Sequence, residues 1–195
     1  MPRPPEFDRD EVLTRAMNAF WQYGYASISI SKLESATGLG RGSLYAAFGD
    51  KSGLFLSALR HYRAKQLVPI IESLDGFKSG RQAIERRFSS IIEMHGHQDA
   101  WMGCLMVNSI AGLNDTDHSE EVQSELLDMR QKLENAYHRA VKRGREAGEM
   151  STVGATAKVA RSLTILDMGL ALLLRLGVEK QVLRDSVAPI LSTLN

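Results

Sequence analysis

The run Ser29-Ile-Ser-Lys-Leu-Glu-Ser-Ala-Thr-Gly-Leu-Gly-Arg-Gly-Ser-Leu-Tyr-Ala-Ala-Phe-Gly-Asp-Lys51 constrains this chain more than any other stretch, because it reads as two short helices joined by a glycine-containing turn. Leu33 and Ala36 form an inward face on the first helix, Gly38 permits the reversal, and Leu39, Leu44 and Phe48 form the apolar side of the second. The face left over carries Arg41, Gly42, Ser43, Tyr45 and Lys51. Those are hydrogen-bond donors together with residues small enough to let a backbone approach, which a helix laid in a DNA major groove needs at its N-terminal end.

A helical hairpin with a central glycine is a common pattern, so its neighbours matter. Phe7 to Tyr25 reads as one amphipathic helix, with Val12, Leu13, Ala16, Met17, Phe20 and Tyr23 at three- and four-residue spacing. Asp8 with Glu11 makes a capping box, Phe7 with Val12 a hydrophobic staple, and Gly24 stands where the helix stops.

These consecutive pieces resemble the TetR family of transcriptional repressors. The matching residues are Ala16, Phe20, Gly24 and Tyr25, then Ser29, Ile30, Leu33, Ala36, Thr37 and Gly38, then Gly42, Ser43, Leu44, Tyr45, Phe48, Gly49, Lys51, Leu54 and Phe55, in order and with spacing intact over roughly residues 7–60. One position departs: many members carry Ser or Thr where Gly40 stands, which predicts a weak N-cap on the second helix of the motif. The resemblance implies an all-α chain, with an N-terminal three-helix bundle containing the helix-turn-helix at residues 1–50. A larger helical ligand-binding and dimerisation domain would follow at 51–195. The DNA-facing set is Ser29, Ser31, Lys32, Arg41, Gly42, Ser43, Tyr45 and Lys51, with Arg41 placed to read a guanine edge and Ser29, Tyr45 and Lys51 to hold phosphates.

Charge agrees with that division. Residues 1–65 hold nine Lys or Arg against six Asp or Glu, and the remainder fifteen against seventeen, so the modest positive bias lies on the DNA-facing third. A general DNA-packaging protein would carry a strongly basic surface, which a net charge of +1 does not provide. No N-terminal stretch has the form of a secretory signal, and the longest apolar run, Leu163 to Leu176, is broken by Asp167 and Arg175 and is shorter than the ~20 residues of a membrane span. A single cysteine, Cys104, cannot form an intramolecular disulfide. Together these features predict a cytoplasmic protein with no membrane contact.

Past the first third, helical periodicity predicts a linking helix from about Asp50 to Leu74, kinked or shortened at Pro69 and stopped near Asp75-Gly76. This is the expected transmitting element. Further helices are expected at about 80–95, 103–113, 118–147, 153–176 and 179–193, with a loop at Asn114-Asp-Thr-Asp117 and terminators at Gly148 and Gly177. The segment Ala160 to Leu176 is apolar around much of its circumference and must be covered on more than one side. One reading is a central core helix. The other, implied by the resemblance, is a homodimer through the last two helices, with Gly169 and Ala171 allowing close approach and Leu170 and Leu191 as interface residues.

The stretch Met94 to Asn108 gathers two histidines, a tryptophan, three methionines and the only cysteine. Three readings stay open. Trp101, Cys104 and Leu105 can be ordinary core. Alternatively Met94, Trp101, Met106 and Met168 line an effector pocket, with Tyr137 and His138 as polar anchors. Thirdly, Met102-Gly103-Cys104-Leu105 resembles the branch of the family that responds to electrophiles, oxidants or copper, with Cys104 near a helix start that lowers its thiol pKa. His95, His97 and Cys104 have no established metal-ligand spacing, so neither a metal nor a cofactor is assigned. No phosphate-cradling loop, nucleophile elbow, His-Glu-x-x-His or paired-carboxylate constellation is present, and Asp115, Asp117, Glu120 and Glu121 read as a solvated helix start, which argues against an enzyme.

The function expected is a homodimeric, one-component transcriptional repressor that binds a palindromic operator and is released by a small-molecule or thiol-reactive effector. The alternative is a small helical protein that binds a ligand or metal without sequence-specific DNA binding.

Overall fold

A computed structural model of the chain describes residues 7–95, 102–112 and 119–194. Every element in that range is helical. Helix α1 spans Arg9–Tyr23 and starts where the Asp8 carboxylate accepts from the amides of Asp10 at 2.9 Å and Glu11 at 3.2 Å. The reciprocal half of the capping box is not made, because Glu11 turns forward to Arg15 one turn along the helix. Gly24, at φ +75°, ends α1. Helices α2 (Ile30–Thr37) and α3 (Arg41–Phe48) follow, with the left-handed Gly38 between them.

Helix α4 (Lys51–Tyr62) crosses α1 and completes this unit. Phe55 packs on Phe20 with ring centroids 4.8 Å apart, and Tyr25 lies 4.8 Å from Phe55, so the loop after α1 is clamped against α4. The expected long linking helix is divided. α4 passes into a π-helical turn, Arg63–Leu67, and then into α5 (Val68–Gly76), whose first turn holds Pro69. Proline has no N–H to give the preceding turn, and the wider π register accommodates that break without ending the rod.

The remaining elements are α6 (Gly80–Glu93), α7 (Leu105–Ala111), α8 (Glu120–Glu146), α9 (Thr156–Leu176) and α10 (Lys180–Ser192). The stops expected at Gly148 and Gly177 are both left-handed glycines. Helix α8 is the axis of the larger unit, with α4, α5, α6 and α9 packed round it over Leu126, Met129, Leu133, Tyr137 and Val141. The start of α6 approaches α8 so closely that a Cβ on Gly80 would lie 1.9 Å from the Ala140 carbonyl and 2.5 Å from the Gly144 amide. Glycine is required there by packing.

Helix α9 is apolar on two opposite faces. Leu163, Asp167, Leu170 and Leu174 are buried inside the monomer, whereas Ile165, Leu172 and Leu176 are 65%, 48% and 77% exposed. Leu170, expected at the subunit interface, is therefore a core residue of the monomer at 1% exposure, and Leu191 is half-buried. Gly169 lies on the exposed stripe with no atom near the position of a Cβ. Among the described residues no helix is long and apolar enough to cross a membrane. The loop expected at Asn114–Asp117 lies outside the described residues.

Candidate functional site

The helix-turn-helix face is built on Leu33, Leu44 and Phe48, which anchor α2 and α3 in the first core and leave Ser29, Ser31, Lys32, Arg41, Gly42 and Ser43 exposed. Ser29 caps α2 by accepting from the Lys32 amide at 3.3 Å, and its hydroxyl meets that of Ser31 at 3.0 Å. The Lys32 ammonium lies 3.4 Å from the centroid of the Tyr23 ring, the Arg41 guanidinium 5.3 Å from that of Tyr45, and the Lys51 ammonium 4.7 Å from that of Tyr25. Each cation is steered by an aromatic face while its polar head stays near the surface. Gly40 provides no side-chain cap to α3, as its lack of a side chain predicts. The missing bond is replaced from α2: the Glu34 carboxylate accepts from the Arg41 amide at 2.6 Å.

Gly42 sits inside α3 with nothing within 4 Å of where a Cβ would be. A helical glycine costs roughly 1 kcal/mol relative to alanine, and no packing within the chain requires this one. It leaves the surface open to close approach from outside.

The second feature is a cavity of about 100 Å³ between the two units. Its wall joins Trp21 of α1, Tyr62 of α4, Gln66 and Leu67 of the π turn, Met94 at the end of α6, Cys104 and Met106 at the start of α7, and Met168 of α9. Cys104, Met94, Met106 and Met168 all border this one cavity, from three parts of the chain: the end of α6, the start of α7 and α9. Tyr137 is fully buried behind the cavity and reaches it through a neighbour: its hydroxyl donates to Asp167 Oδ2 at 2.7 Å. His138 is half-buried on α8 and does not border the cavity. Trp101 and His97 lie outside the described residues.

Sequence reasoning missed Arg87 and the role of Asp167. Arg87 donates from Nε to Asp167 Oδ2 at 2.7 Å and from Nη2 to Oδ1 at 3.0 Å, a bidentate pair joining α6 to α9. The pair is separated by eighty residues, so no local pattern announces it. The one visible signal was an aspartate interrupting an apolar helix. Burial raises the hydroxyl pKa values of Tyr137 and Tyr62 well above the ordinary range, so both are neutral donors at physiological pH.

Cys104 immediately precedes α7 and its Sγ lies 3.2 Å from the Tyr62 hydroxyl. Burial pushes its thiol pKa up, while the Tyr62 hydrogen bond and the backbone amides of Val107 and Met106 pull it down by less. Desolvation therefore outweighs the helix N-terminus, and the thiol is protonated in this conformation. Among the described residues, no group of three or more His, Cys, Asp or Glu side chains is arranged to hold a metal ion.

One contact joins the cavity to the DNA-facing unit directly. The Trp21 indole N–H donates to the Met102 carbonyl at 2.8 Å, the Asn108 amide donates to the same oxygen at 2.6 Å, and the Trp21 ring stands edge-on to Tyr62 with centroids 5.1 Å apart.

A helix-turn-helix carried on a larger helical body defines a class of DNA-binding transcriptional regulator, and the comparisons with known proteins agree. Residues 12–58 match the family model of bacterial regulatory proteins, tetR family. The chain is 29% identical over the full length of both chains to the uncharacterized HTH-type transcriptional regulator YezE of Bacillus subtilis. It is 36% identical to the HTH-type transcriptional repressor ComR of Escherichia coli over 57% of this chain and 54% of that one. Among solved structures it superposes with a TM-score of 0.86 and 30% identity, covering 99% of this chain and all of the other, on a cysteine mutant of the TetR family transcriptional regulator CifR complexed with a 26-bp double-strand operator DNA. The chain belongs to the TetR family of helix-turn-helix transcriptional regulators and is not an enzyme.

Proposed function

We propose that this protein is a homodimeric repressor that grips a palindromic operator with two copies of α3 and lets go when a small molecule fills the cavity beside Cys104. The observation that carries this reading is Trp21, a residue of the DNA-facing unit that also forms cavity wall and hydrogen-bonds the Met102 carbonyl. A ligand that fills the cavity lies against Trp21, Tyr62 and the π turn, and each is covalently continuous with α1 or α4. Two half-sites must lie about 34–36 Å apart to be docked together, so a shift of a few ångströms in α1 and α4 suffices to lose one of them. A ligand preferring the mismatched conformer ~100-fold weakens operator binding by up to ~2.7 kcal/mol.

In this reading Arg41 reads a base edge, while Ser29, Ser31, Lys32, Ser43, Tyr45 and Lys51 hold phosphates and Gly42 admits the backbone. Footprinting on DNA flanking the protein's own gene tests it. Expected is a protected palindrome with half-sites one helical turn apart; absence of protection, or protection of one half-site only, overturns it. Arg41→Ala is expected to cost about 1–3 kcal/mol and relax specificity at one base pair per half-site, measured by mobility shift at fixed salt.

A covalent version of the same switch is favoured by one observation, that Cys104 lines the cavity, so an electrophile that fits there lies beside the residue that carries the thiol. Its requirement is that ligand entry first break the Tyr62 contact and hydrate the thiol.

A further inference from the structure

Resting on the reading of the cavity as an effector site, we propose that it selects uncharged ligands, about the size of one substituted ring and carrying a carbonyl-type acceptor, because the two charges on its described wall already neutralise each other. Arg87 and Asp167 are the charged side chains among the described lining residues, and they are 16% and 5% exposed. Two guanidinium N–H groups and the Tyr137 hydroxyl satisfy the Asp167 carboxylate. A ligand carboxylate must compete with Asp167 for Arg87, and success would strand a buried aspartate with one neutral donor. A ligand cation must compete with Arg87 for Asp167 and would strand a buried guanidinium. Either ion gives up its hydration and finds no free counter-charge. An uncharged ring loses little hydration and gains contact with Leu67, Ile70, Ile91 and Met168. The Tyr62 hydroxyl, the Cys104 thiol and the Gln66 amide are polar groups on the wall outside the ion pair, and they suit one carbonyl-type acceptor.

The size follows from the cavity of about 100 Å³. It is smaller than the ~150 Å³ apolar cavity known to take up benzene, so a single ring with a short substituent enters only as the flexible Met94, Met106 and Met168 side chains of the wall give way, and anything larger is excluded.

Three nearly isosteric probes test the charge rule: acetophenone, benzoate and benzamidine, which at neutral pH are uncharged, anionic and cationic. Isothermal titration calorimetry on the full-length protein without DNA is expected to detect acetophenone, with benzoate and benzamidine weaker by about tenfold or more. Asp167→Asn leaves the Arg87 charge unopposed and is expected to make benzoate the tightest of the three. Arg87→Gln is expected to do the same for benzamidine. Should either variant fail to fold, the ranking on the parent protein still decides. Benzoate or benzamidine binding the parent as tightly as acetophenone overturns the proposal, and so does failure of all three to bind. An intact operator footprint alongside either result confines the failure to the charge rule, whereas loss of the footprint with the ranking as expected confines it to the operator reading.

Discussion

Two side chains, the half-buried Cys104 and the buried His61, show how environment decides what a residue does here. Cys104 has the position that favours a reactive thiolate and the surroundings that prevent one. Its thiol is buried, paired with Tyr62, and pushed toward the protonated form. Alkylation of Cys104 by a maleimide is accordingly expected to be slower in the native protein than in the unfolded chain, on the order of tenfold or more, because opening must precede attack. Equal rates in the two states would show that the sulfur is open to solvent. Cys104→Ser is expected to bind operator like the parent, and its response to an oxidant separates the covalent version of the switch from the non-covalent one.

His61 sits at the crossing of α1 and α4, with Nε2 2.8 Å from Thr14 Oγ1 and Nδ1 3.5 Å from an Asp10 carboxylate oxygen. Lys65 pairs with the same Asp10 at 3.1 Å. Burial lowers the His61 pKa below its ordinary 6.5, Asp10 draws it back upward, and Lys65 adds to the lowering. The folded state thus favours the neutral imidazole. Its contribution to stability is fully present above the unfolded value and is lost as pH falls from about 6.5 through the lower folded value. Thermal melts at about pH 7.5 and 5.5 are expected to show a larger drop for the parent than for His61→Gln; equal drops would remove His61 from the acid response.

Among the elements, α3 is the one whose local signals are weakest, because Gly40 cannot cap it and Gly42 lowers its helix propensity. Glu34 compensates across the turn by accepting from the Arg41 amide. Glu34→Ala is expected to free the first turn of α3 at a cost of about 0.5–2 kcal/mol in operator binding, the range of a lost N-cap. Glu34→Gln keeps an acceptor oxygen and removes a negative charge near the DNA-facing surface, so it is expected to bind at least as tightly as the parent. Anisotropy titrations of the three proteins at one salt concentration distinguish the two roles. The same paucity of local reinforcement explains the π turn: the chain needs a continuous rod from α4 to α5, Pro69 interrupts the α-helical ladder, and the register widens over Arg63–Leu67. That widening places Gln66 and Leu67 on the cavity wall.

At the scale of the whole molecule, the exposed stripe Ile165, Gly169, Leu172 and Leu176 on α9, together with Val182 and Ile190 on α10, is the surface a second copy would cover. Its residues are solvent-exposed in the monomer, so charging them leaves the monomer core intact. Ile165→Glu with Leu172→Glu is expected to yield a folded, soluble monomer at micromolar concentration by sedimentation equilibrium, with greatly weakened operator binding. Leu170→Glu, by contrast, buries a charge inside the monomer and is expected to unfold it. A parent protein that sediments as a monomer would remove the dimer from the proposal.

What was legible in the sequence is what neighbours along the chain decide. Asp8, Gly24, Ser29 and Gly38 set helix ends through bonds spanning two to four residues or through a left-handed backbone, so α1 to α3 and the exposed face of α3 could be placed from residues alone. Periodicity showed that α9 is apolar around much of its circumference, and Pro69 announced a break in the linking helix. Periodicity could not say which apolar face of α9 turns inward, since Leu170 and Leu172 are equally hydrophobic and only the packing of α8 separates them. The Arg87–Asp167 pair, the Trp21–Met102 contact and the burial of Cys104 each join segments from about forty to eighty residues apart. Caps and turns are stabilised within a turn of chain and so are written locally. The cavity and its neutralised charge exist only once α1, α4, α6, α7 and α9 have been brought against one another, and the tertiary structure alone decides them.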